Sequence, residues 1–297
     1  MANNSGPNTP ITANQVPDHS ILDINGKQTY LGNGYILPAP PNGFTLSGTA
    51  EVPIALIRNP VTSGAGKALF LYQRKLASTD TTIVRFYSNP TVSNIGIQTI
   101  GLVADVSGSL NNTYFLLNDA NNVHKYYVWF NINSAGTDPA IPGRTGVPIT
   151  GATNASAATL GGAVATAIAA LNSTNSFTTS GTTTVTVTNK VAGPSTAMVD
   201  GAAPTGFTFT QTAGLGAQTV ALNLRPASTN TSVSTCYLNP APSNNGTFVA
   251  VLAAVVEIET ISDVIFILDP GQSLLVTAQT SASPPVLVFQ ENIWYEL

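Results

Sequence analysis

Acidic residues in the C-terminal part of the chain come closest to a catalytic spacing. Glu257 and Glu259 fall on one face of a predicted strand, and Asp263 and Asp269 follow shortly after. Two carboxylates that face each other across a substrate can cleave a glycosidic bond, and carboxylate oxygens also hold calcium. Since acidic residues on one strand face more commonly mark a solvated or interface surface, we predict no catalytic residue here.

Other motifs that could support catalysis or ligand binding are incomplete. Residues 62–68, Thr-Ser-Gly-Ala-Gly-Lys-Ala, hint at a phosphate-binding loop. They lack the first glycine of that motif and the Ser or Thr after its lysine, so a hairpin turn is the better interpretation. His19 and His124 have no His or Cys partner at the spacing of a zinc site. The sequence also contains no Gly-x-Ser-x-Gly motif of a serine hydrolase.

The remaining candidate ligands also have simpler structural explanations. Cys236 is the single cysteine, so no disulfide can form within the chain. It lies in a predicted strand, where we expect it to be a small buried apolar side chain. Asp119, Asn121 and Asn122 offer oxygen atoms, but an Asn/Asp turn explains them without an ion. The sequence therefore predicts a protein that is not an enzyme and has no metal site and no cofactor.

The composition is that of a β protein with few charges. The 297 residues include 25 Gly and 20 Pro, and charged residues make up 8%, well below the roughly 25% of an average domain. Thr, Ser, Asn and Gln must then cover the surface, which favours a protein that packs against copies or partners. A net charge of −4 argues against nucleic-acid binding. We interpret the cations that lie closest together in sequence as scattered surface charge: Arg58, Lys67, Arg74, Lys75 and Arg85.

No segment of the sequence predicts contact with a membrane. The first residues have neither a cationic stretch nor an apolar stretch, so we expect no signal peptide. The longest apolar run, residues 248–256, ends at Glu257 and is too short to span a bilayer. We therefore expect a soluble protein that is made without secretion.

The chain is predicted to form a discontinuous β-sandwich. Residues 1–20 are polar and Pro-rich, and we interpret them as an extended N-terminal arm. Residues 21–102 and 217–297 contain short β-branched and aromatic runs joined by Gly, Pro and Asn turns, which is typical of a sandwich. We predict that these two parts form one antiparallel, jelly-roll-like sandwich. Residues 293–297, Ile-Trp-Tyr-Glu-Leu, are too apolar for a frayed end, so they predict the last strand of a sheet.

Residues 103–216 predict an inserted α+β domain. Two strands near residues 113–117 and 125–132 precede one helix at residues 157–171, and further strands follow. This ββαββ pattern with one helix makes a complete small domain. Gly161 and Gly162 weaken the helix prediction. Four apolar residues nevertheless fall on a single helical stripe: Leu160, Val164, Ile168 and Leu171.

A short repeat occurs on either side of the predicted insertion. Residues 87–93, Tyr-Ser-Asn-Pro-Thr-Val-Ser, recur as residues 237–243, Tyr-Leu-Asn-Pro-Ala-Pro-Ser. Each copy follows a predicted strand and precedes a loop that contains glycine. Asparagine favours a turn, and proline ends a strand ladder because it has no N–H to donate. The repeat therefore predicts two equivalent strand ends.

Several of these segments resemble structural proteins of tailed bacteriophages. In the insertion, the resemblance is carried by residues 126–139 (Tyr-Tyr-Val-Trp-Phe-Asn-Ile-Asn-Ser-Ala-Gly-Thr-Asp-Pro), the Ala-rich helix, residues 184–190 and residues 206–209. In the flanking parts it is carried by residues 47–53, 57–60 and 268–277, the two Tyr-x-Asn-Pro repeats and the terminal Trp-Tyr-Glu-Leu. The resemblance covers most of the chain after residue 20. It implies a virion component and brings no catalytic residues with it.

The resemblance leaves more than one role open. In the first, the protein decorates and cements the capsid exterior as a symmetric oligomer, expected to be a homotrimer, in contact with the major capsid protein. The inserted domain then projects outward. In the alternative, a tail, baseplate or head-fibre protein binds a host-surface glycan on Tyr126, Tyr127 and Trp129, although strand alternation favours a core position for part of this run. A virion-associated hydrolase that uses the C-terminal carboxylates is the third hypothesis.

Overall fold

The computed structural model describes most of the chain after residue 32. The arm predicted at residues 1–20, residues 62–65 of the loop candidate, and Glu257 and Asp263 lie outside the described residues. The described ranges are residues 33–37, 40, 43–46, 49–61, 66–171, 177–254, 259–261, 266–280 and 286–296.

The described residues are mainly β, as predicted. The N-terminal part contains β1 (Gly34–Leu37), β2 (Phe44–Leu46), β3 (Val52–Arg58), β4 (Leu69–Ser78), β5 (Thr82–Ser88), β6 (Thr91–Val92) and β7 (Ile97–Gly101). The central part contains β8 (Tyr114–Asn118), a 3-10 turn (Ala120–Asn122), β9 (Lys125–Ile132), β10 (Thr145–Gly151), α1 (Ala157–Ala169), β11 (Phe177–Ser180), β12 (Thr184–Asn189), β13 (Val199–Asp200) and β14 (Thr208–Ala213). The C-terminal part contains β15 (Ala217–Thr219), β16 (Leu222–Asn223), β17 (Thr235–Leu238), β18 (Pro242–Asn244), β19 (Thr247–Ala254), β20 (Glu259–Ile261), β21 (Phe266–Leu268), β22 (Ser273–Thr280) and β23 (Val286–Glu296).

The two ends of the chain form an antiparallel β-sandwich. One sheet has seven strands, in the order β16-β1-β23-β4-β20, with β2 also paired to β23 and β21 to β4. The other has six strands, in the order β15-β17-β3-β22-β5-β19. Because side chains alternate between the faces of a strand, each sheet contributes one apolar face to a shared core. The predicted mainly-β sandwich is therefore confirmed.

The C-terminal strand lies in the interior of its sheet. β23 pairs antiparallel with β1 on one side and β4 on the other. Trp294 is fully buried and stacks on Tyr35, with 6.4 Å between the ring centroids. The buried Glu296 carboxylate accepts hydrogen bonds from the Ser232 hydroxyl and from the backbone N–H of Val233, the latter at 3.0 Å. The predicted terminal strand is confirmed, and its central position makes it necessary for closing the sheet.

The central part of the chain has a core of its own. This second core lies between α1 and two four-stranded sheets, with the orders β10-β9-β8-β13 and β11-β12-β7-β14. The Ser156 hydroxyl caps α1 by accepting a hydrogen bond from the backbone N–H of Thr159 at 3.2 Å. Leu160, Val164 and Ile168 of the predicted apolar stripe point into this core, and Leu171, which follows the end of α1, packs against it.

The inserted domain differs from its prediction in two ways. β7 belongs to the outer sandwich in the predicted boundaries, but it pairs with β12 and β14, and Ile100 and Leu102 lie in the second core. These partners come much later in the chain, so local spacing does not reveal them. β10 lies between the second predicted strand and the predicted helix, in a segment for which the sequence predicts no strand. It pairs in parallel with β9 and carries Pro148, a residue that counts against a strand prediction.

Candidate functional site

The two Tyr-x-Asn-Pro repeats lie where the sandwich meets the inserted domain. Asn89 and Asn239 follow β5 and β17 of the same sheet, and each has a φ of 51°. The backbone N–H of Asn89 donates to the carbonyl of Ser273 at 2.8 Å, and that of Asn239 donates to the carbonyl of Ile54 at 3.0 Å. The predicted equivalence of the two strand ends is confirmed. Three segments form this junction: residues 89–96, 214–216 and 239–246.

The outgoing and returning chains touch at the junction. β6 and β18, which follow the two asparagine turns, pair as a short antiparallel ribbon. Gly214 and Ala241 exchange backbone hydrogen bonds of 2.8 and 3.3 Å. A Cβ on Gly214, whose φ is +133°, would lie 3.0 Å from the Cα of Gly96. Both connections of the inserted domain therefore leave the sandwich side by side.

A small apolar cluster attaches the junction to the sandwich. Leu56, Tyr237 and Leu275 are buried in a cluster separate from the sandwich core, and their strands are neighbours in the six-stranded sheet. Leu215 of the returning segment belongs to this cluster, and the half-buried Val92 of the outgoing segment packs against it. The inserted domain is thus held by packed side chains as well as by its two connections.

A cleft of about 320 Å³ lies beside the junction, and its lining includes Arg58, Asn59 and Gln272. The Asn59 amide Nδ2 donates to the carbonyls of Lys67 and Leu268, both at 2.8 Å. Its buried Oδ1 accepts no hydrogen bond within the described part of the chain. The described lining residues include no carboxylate, histidine or cysteine, so they supply hydrogen-bonding groups but not an acid–base pair.

The carboxylate of Asp105 holds a loop of the inserted domain. It accepts hydrogen bonds from the backbone N–H groups of Gly108 at 2.8 Å, Asn154 at 2.9 Å and Leu110 at 3.1 Å. Burial by itself raises the pKa of Asp105, but these three hydrogen bonds outweigh that effect and lower the pKa below its ordinary value. The charged form of Asp105 therefore stabilises the folded loop.

Replacing Asp105 with asparagine is expected to lower the free energy of unfolding of the inserted domain by about 1–3 kcal/mol at neutral pH. Because the folded pKa is depressed, this stabilisation is fully present above the unfolded-state pKa of about 3.9 and is lost as the pH falls through the folded pKa. The difference in melting temperature between wild type and Asp105→Asn should therefore become smaller as the pH is lowered. Asp269→Asn, at an exposed carboxylate, is the control, and a pH-independent difference for Asp105→Asn would contradict this role.

The carboxylate of Asp119 stabilises the turn before β9. The buried Asp119 carboxylate accepts a hydrogen bond from the backbone N–H of His124 at 2.8 Å and contacts the His124 Nδ1 at 2.6 Å. The Asn122 side chain accepts from the backbone N–H of Thr196 at 2.9 Å. The Asp119 oxygens thus hold this turn together, and the Asn122 oxygen joins it to the loop that contains Thr196. Among the described residues, no group of three or more His, Cys, Asp or Glu is placed to hold a metal ion.

Tyr126, Tyr127 and Trp129 do not form an exposed aromatic surface. All three are buried, with at most 7% of any side chain exposed. Tyr126 lies in the core of the inserted domain. Tyr127 is on the other face of β9, where the following loop folds back and the Tyr127 hydroxyl donates to Asp138 at 2.6 Å. Core packing and that loop cover the three rings, in keeping with the core position that strand alternation favours for part of this run.

Cys236 has the structural role that the sequence predicts. It is buried in the core of the sandwich on β17. Burial, together with the charge of Glu296, raises the pKa of the Cys236 thiol to about 11. The thiol therefore stays protonated at neutral pH and is a poor nucleophile.

Comparison with known proteins identifies no relative. Neither a protein-family model, nor a curated protein, nor a solved structure matches the chain. Within the described ranges, no helix has the length and apolar character needed to cross a bilayer. Function must therefore be inferred from the geometry of the junction and of the exposed strands.

Proposed function

We propose that the chain is a non-enzymatic structural protein of a tailed-bacteriophage virion that decorates the capsid exterior. The observation that carries this proposal is the junction. The inserted domain has a core separate from that of the sandwich, and both of its connections leave from one place. Such a protein can bind a shell through the sandwich while the inserted domain projects outward.

The use of charged side chains supports a structural role. Glu51, which lies in a segment that resembles phage proteins, accepts hydrogen bonds from the hydroxyls of Tyr87 at 2.9 Å and Thr277 at 2.5 Å. It also forms an ion pair with Arg85 at 3.3 Å. These residues link β5, β22 and the segment before β3. The carboxylate thus holds neighbouring parts of the sheet together.

The low content of charged residues suits a protein whose surface is covered by neighbouring proteins in an assembly. With 8% charged residues, few ions lose their hydration when the protein packs against a neighbour. The proposed partners are the major capsid protein and further copies of this chain. The tail or fibre alternative, in which Tyr126, Tyr127 and Trp129 bind a glycan, gains no support from this structure because the three rings are buried.

Copy number in purified phage particles tests the proposal. Quantitative mass spectrometry should give a ratio of this chain to the major capsid protein that is constant and corresponds to many copies per shell. The major tail protein of the same particles is the internal standard. A few copies per particle, or absence from the particle, would contradict capsid decoration.

A further inference from the structure

Among the described strands, β19 forms one edge of the six-stranded sheet. It pairs with β5 on one side, and no described strand pairs with its other side. Along an antiparallel strand, successive residues direct their backbone groups alternately toward one side and then the other. The free side of β19 therefore presents a row of N–H and C=O groups that can pair with another strand.

Three exposed side chains of β19 are apolar, next to the exposed Thr247. Phe248 is 54% exposed, Val249 is 40% exposed and Val251 is 52% exposed. The Phe248 ring is held edge-on against Tyr87, with 5.8 Å between centroids. A bulge is confined to the start of the strand, and from Ala250 onward the pairing with β5 is regular. This strand thus offers both backbone hydrogen bonds and apolar contacts.

β19 is the longest edge strand among the described sheets. Short strands, prolines and charges are the usual means of protecting an edge. β13 and β16 have two residues each and β15 has three, while β10 contains Pro148. β14 and β11 lack prolines and charges, but they are shorter, with six and four residues, and their exposed side chains are polar. β19 has eight residues, Thr-Phe-Val-Ala-Val-Leu-Ala-Ala, with neither proline nor charge.

A second copy of β19 is a strand that complements this edge. It has the same length and apolar character, and it brings no like charges opposite each other. The chain carries a net charge of −4, so contact through an uncharged strand avoids bringing the charged groups of two copies together. Antiparallel pairing of a strand with itself also generates a closed twofold contact.

We propose that β19 strands of two copies pair antiparallel and join two six-stranded sheets across a twofold axis. On the virion, this contact determines how copies of the decorating protein associate. This part of the inference rests on the proposed function. It replaces the homotrimer expected from the sequence with a dimer as the unit of assembly.

Sedimentation velocity of the full chain tests this contact, with Val251→Lys as the variant. Wild type should be a dimer. Val251 lies near the middle of β19, so antiparallel pairing about a central twofold axis brings the two copies of residue 251 close together. Val251→Lys should therefore raise the dimer dissociation constant by about 100-fold, because like charges then face each other. Ile267→Lys is the matched control: Ile267 is 50% exposed on β21 of the other sheet, and its variant should remain a dimer. Phe248→Ser is a second variant that adds no charge and should also weaken the dimer.

Circular dichroism and thermal unfolding establish that each variant is folded. A monomeric or trimeric wild type, a folded Val251→Lys variant that stays fully dimeric, or equal weakening by Ile267→Lys would each overturn the proposal. These outcomes are separate from the copy number in particles. A monomer present in many copies on the capsid would refute the β19 contact and leave the proposed function intact.

Discussion

Replacing Trp294 with alanine is expected to unfold the outer sandwich while the inserted domain stays folded. Trp294 is fully buried on β23, in the middle of the seven-stranded sheet, and stacks on Tyr35. Removing a buried tryptophan side chain costs about 3–5 kcal/mol, which is a large part of the roughly 5–15 kcal/mol that stabilises a typical domain. A truncation before Ile293 should have the same effect, because it removes three of the four β23 residues that pair with β1.

Amide hydrogen exchange followed by mass spectrometry separates the two parts of the chain. In Trp294→Ala, protection should fall throughout the sandwich and persist in residues 97–213, because the two cores are distinct. Val220→Ala, at an exposed position between β15 and β16, is the control and should leave both parts protected. Simultaneous loss of protection in both parts would show that the inserted domain depends on the sandwich for its fold.

Alanine at Gly161 is expected to destabilise the inserted domain strongly, although alanine is the better helix former. A Cβ at Gly161 would lie 1.6 Å from the backbone carbonyl oxygen of Thr182. The carbonyl belongs to the turn between β11 and β12 and cannot rotate away like a side chain. Either α1 or this turn must shift, and overpacking of this kind costs about 1–3 kcal/mol or more.

The neighbouring Gly162 provides the matched control. A Cβ at Gly162 meets no atom within 4 Å, so Gly162→Ala should raise the stability of the domain by about 1 kcal/mol through helix propensity alone. Thermal unfolding should therefore show shifts of opposite sign for the two variants. If Gly161→Ala stabilises the domain as Gly162→Ala does, then α1 does not pack closely against the Thr182 backbone.

The elements with strong local patterns were predictable from sequence. β9 begins at Lys125 and ends at Ile132, as the run of β-branched and aromatic residues predicts. The apolar stripe of α1 and the terminal strand β23 also follow from local signals. Gly161 weakens the helix prediction for a sound reason, since glycine is a poor helix former. The structure shows that glycine is needed there because the Thr182 backbone leaves no room for a side chain.

Features that depend on distant parts of the chain were not predictable. β7 is central in a sheet whose other strands come much later, and β10 is a strand despite Pro148. Tyr127 is covered by a loop that follows it in sequence, so the pattern of β9 alone shows only which face it occupies. For this reason the sequence alone assigned β7 to the sandwich and did not reveal how completely Tyr127 is buried.

The candidate functional surfaces were predictable in part. The repeated Tyr-x-Asn-Pro segment identified both sides of the junction, because the same turn chemistry is needed where each chain leaves the sheet. Leu215 gave no such signal, since a single leucine between two glycines does not reveal which cluster it joins. The apolar run of β19 was visible in the sequence. Its position at a sheet edge, which gives the run its significance, depends on the fold.

Cryo-electron microscopy of particles with and without the inserted domain tests the proposed virion role most directly. Gly96 and Gly214 are in contact, so residues 97–213 can be replaced by a short glycine linker that leaves the sandwich closed. The proposed function predicts that the difference map shows missing density at regularly repeated positions on the outer surface of the capsid. Missing density only at the tail or a fibre, or an unchanged shell, would contradict it.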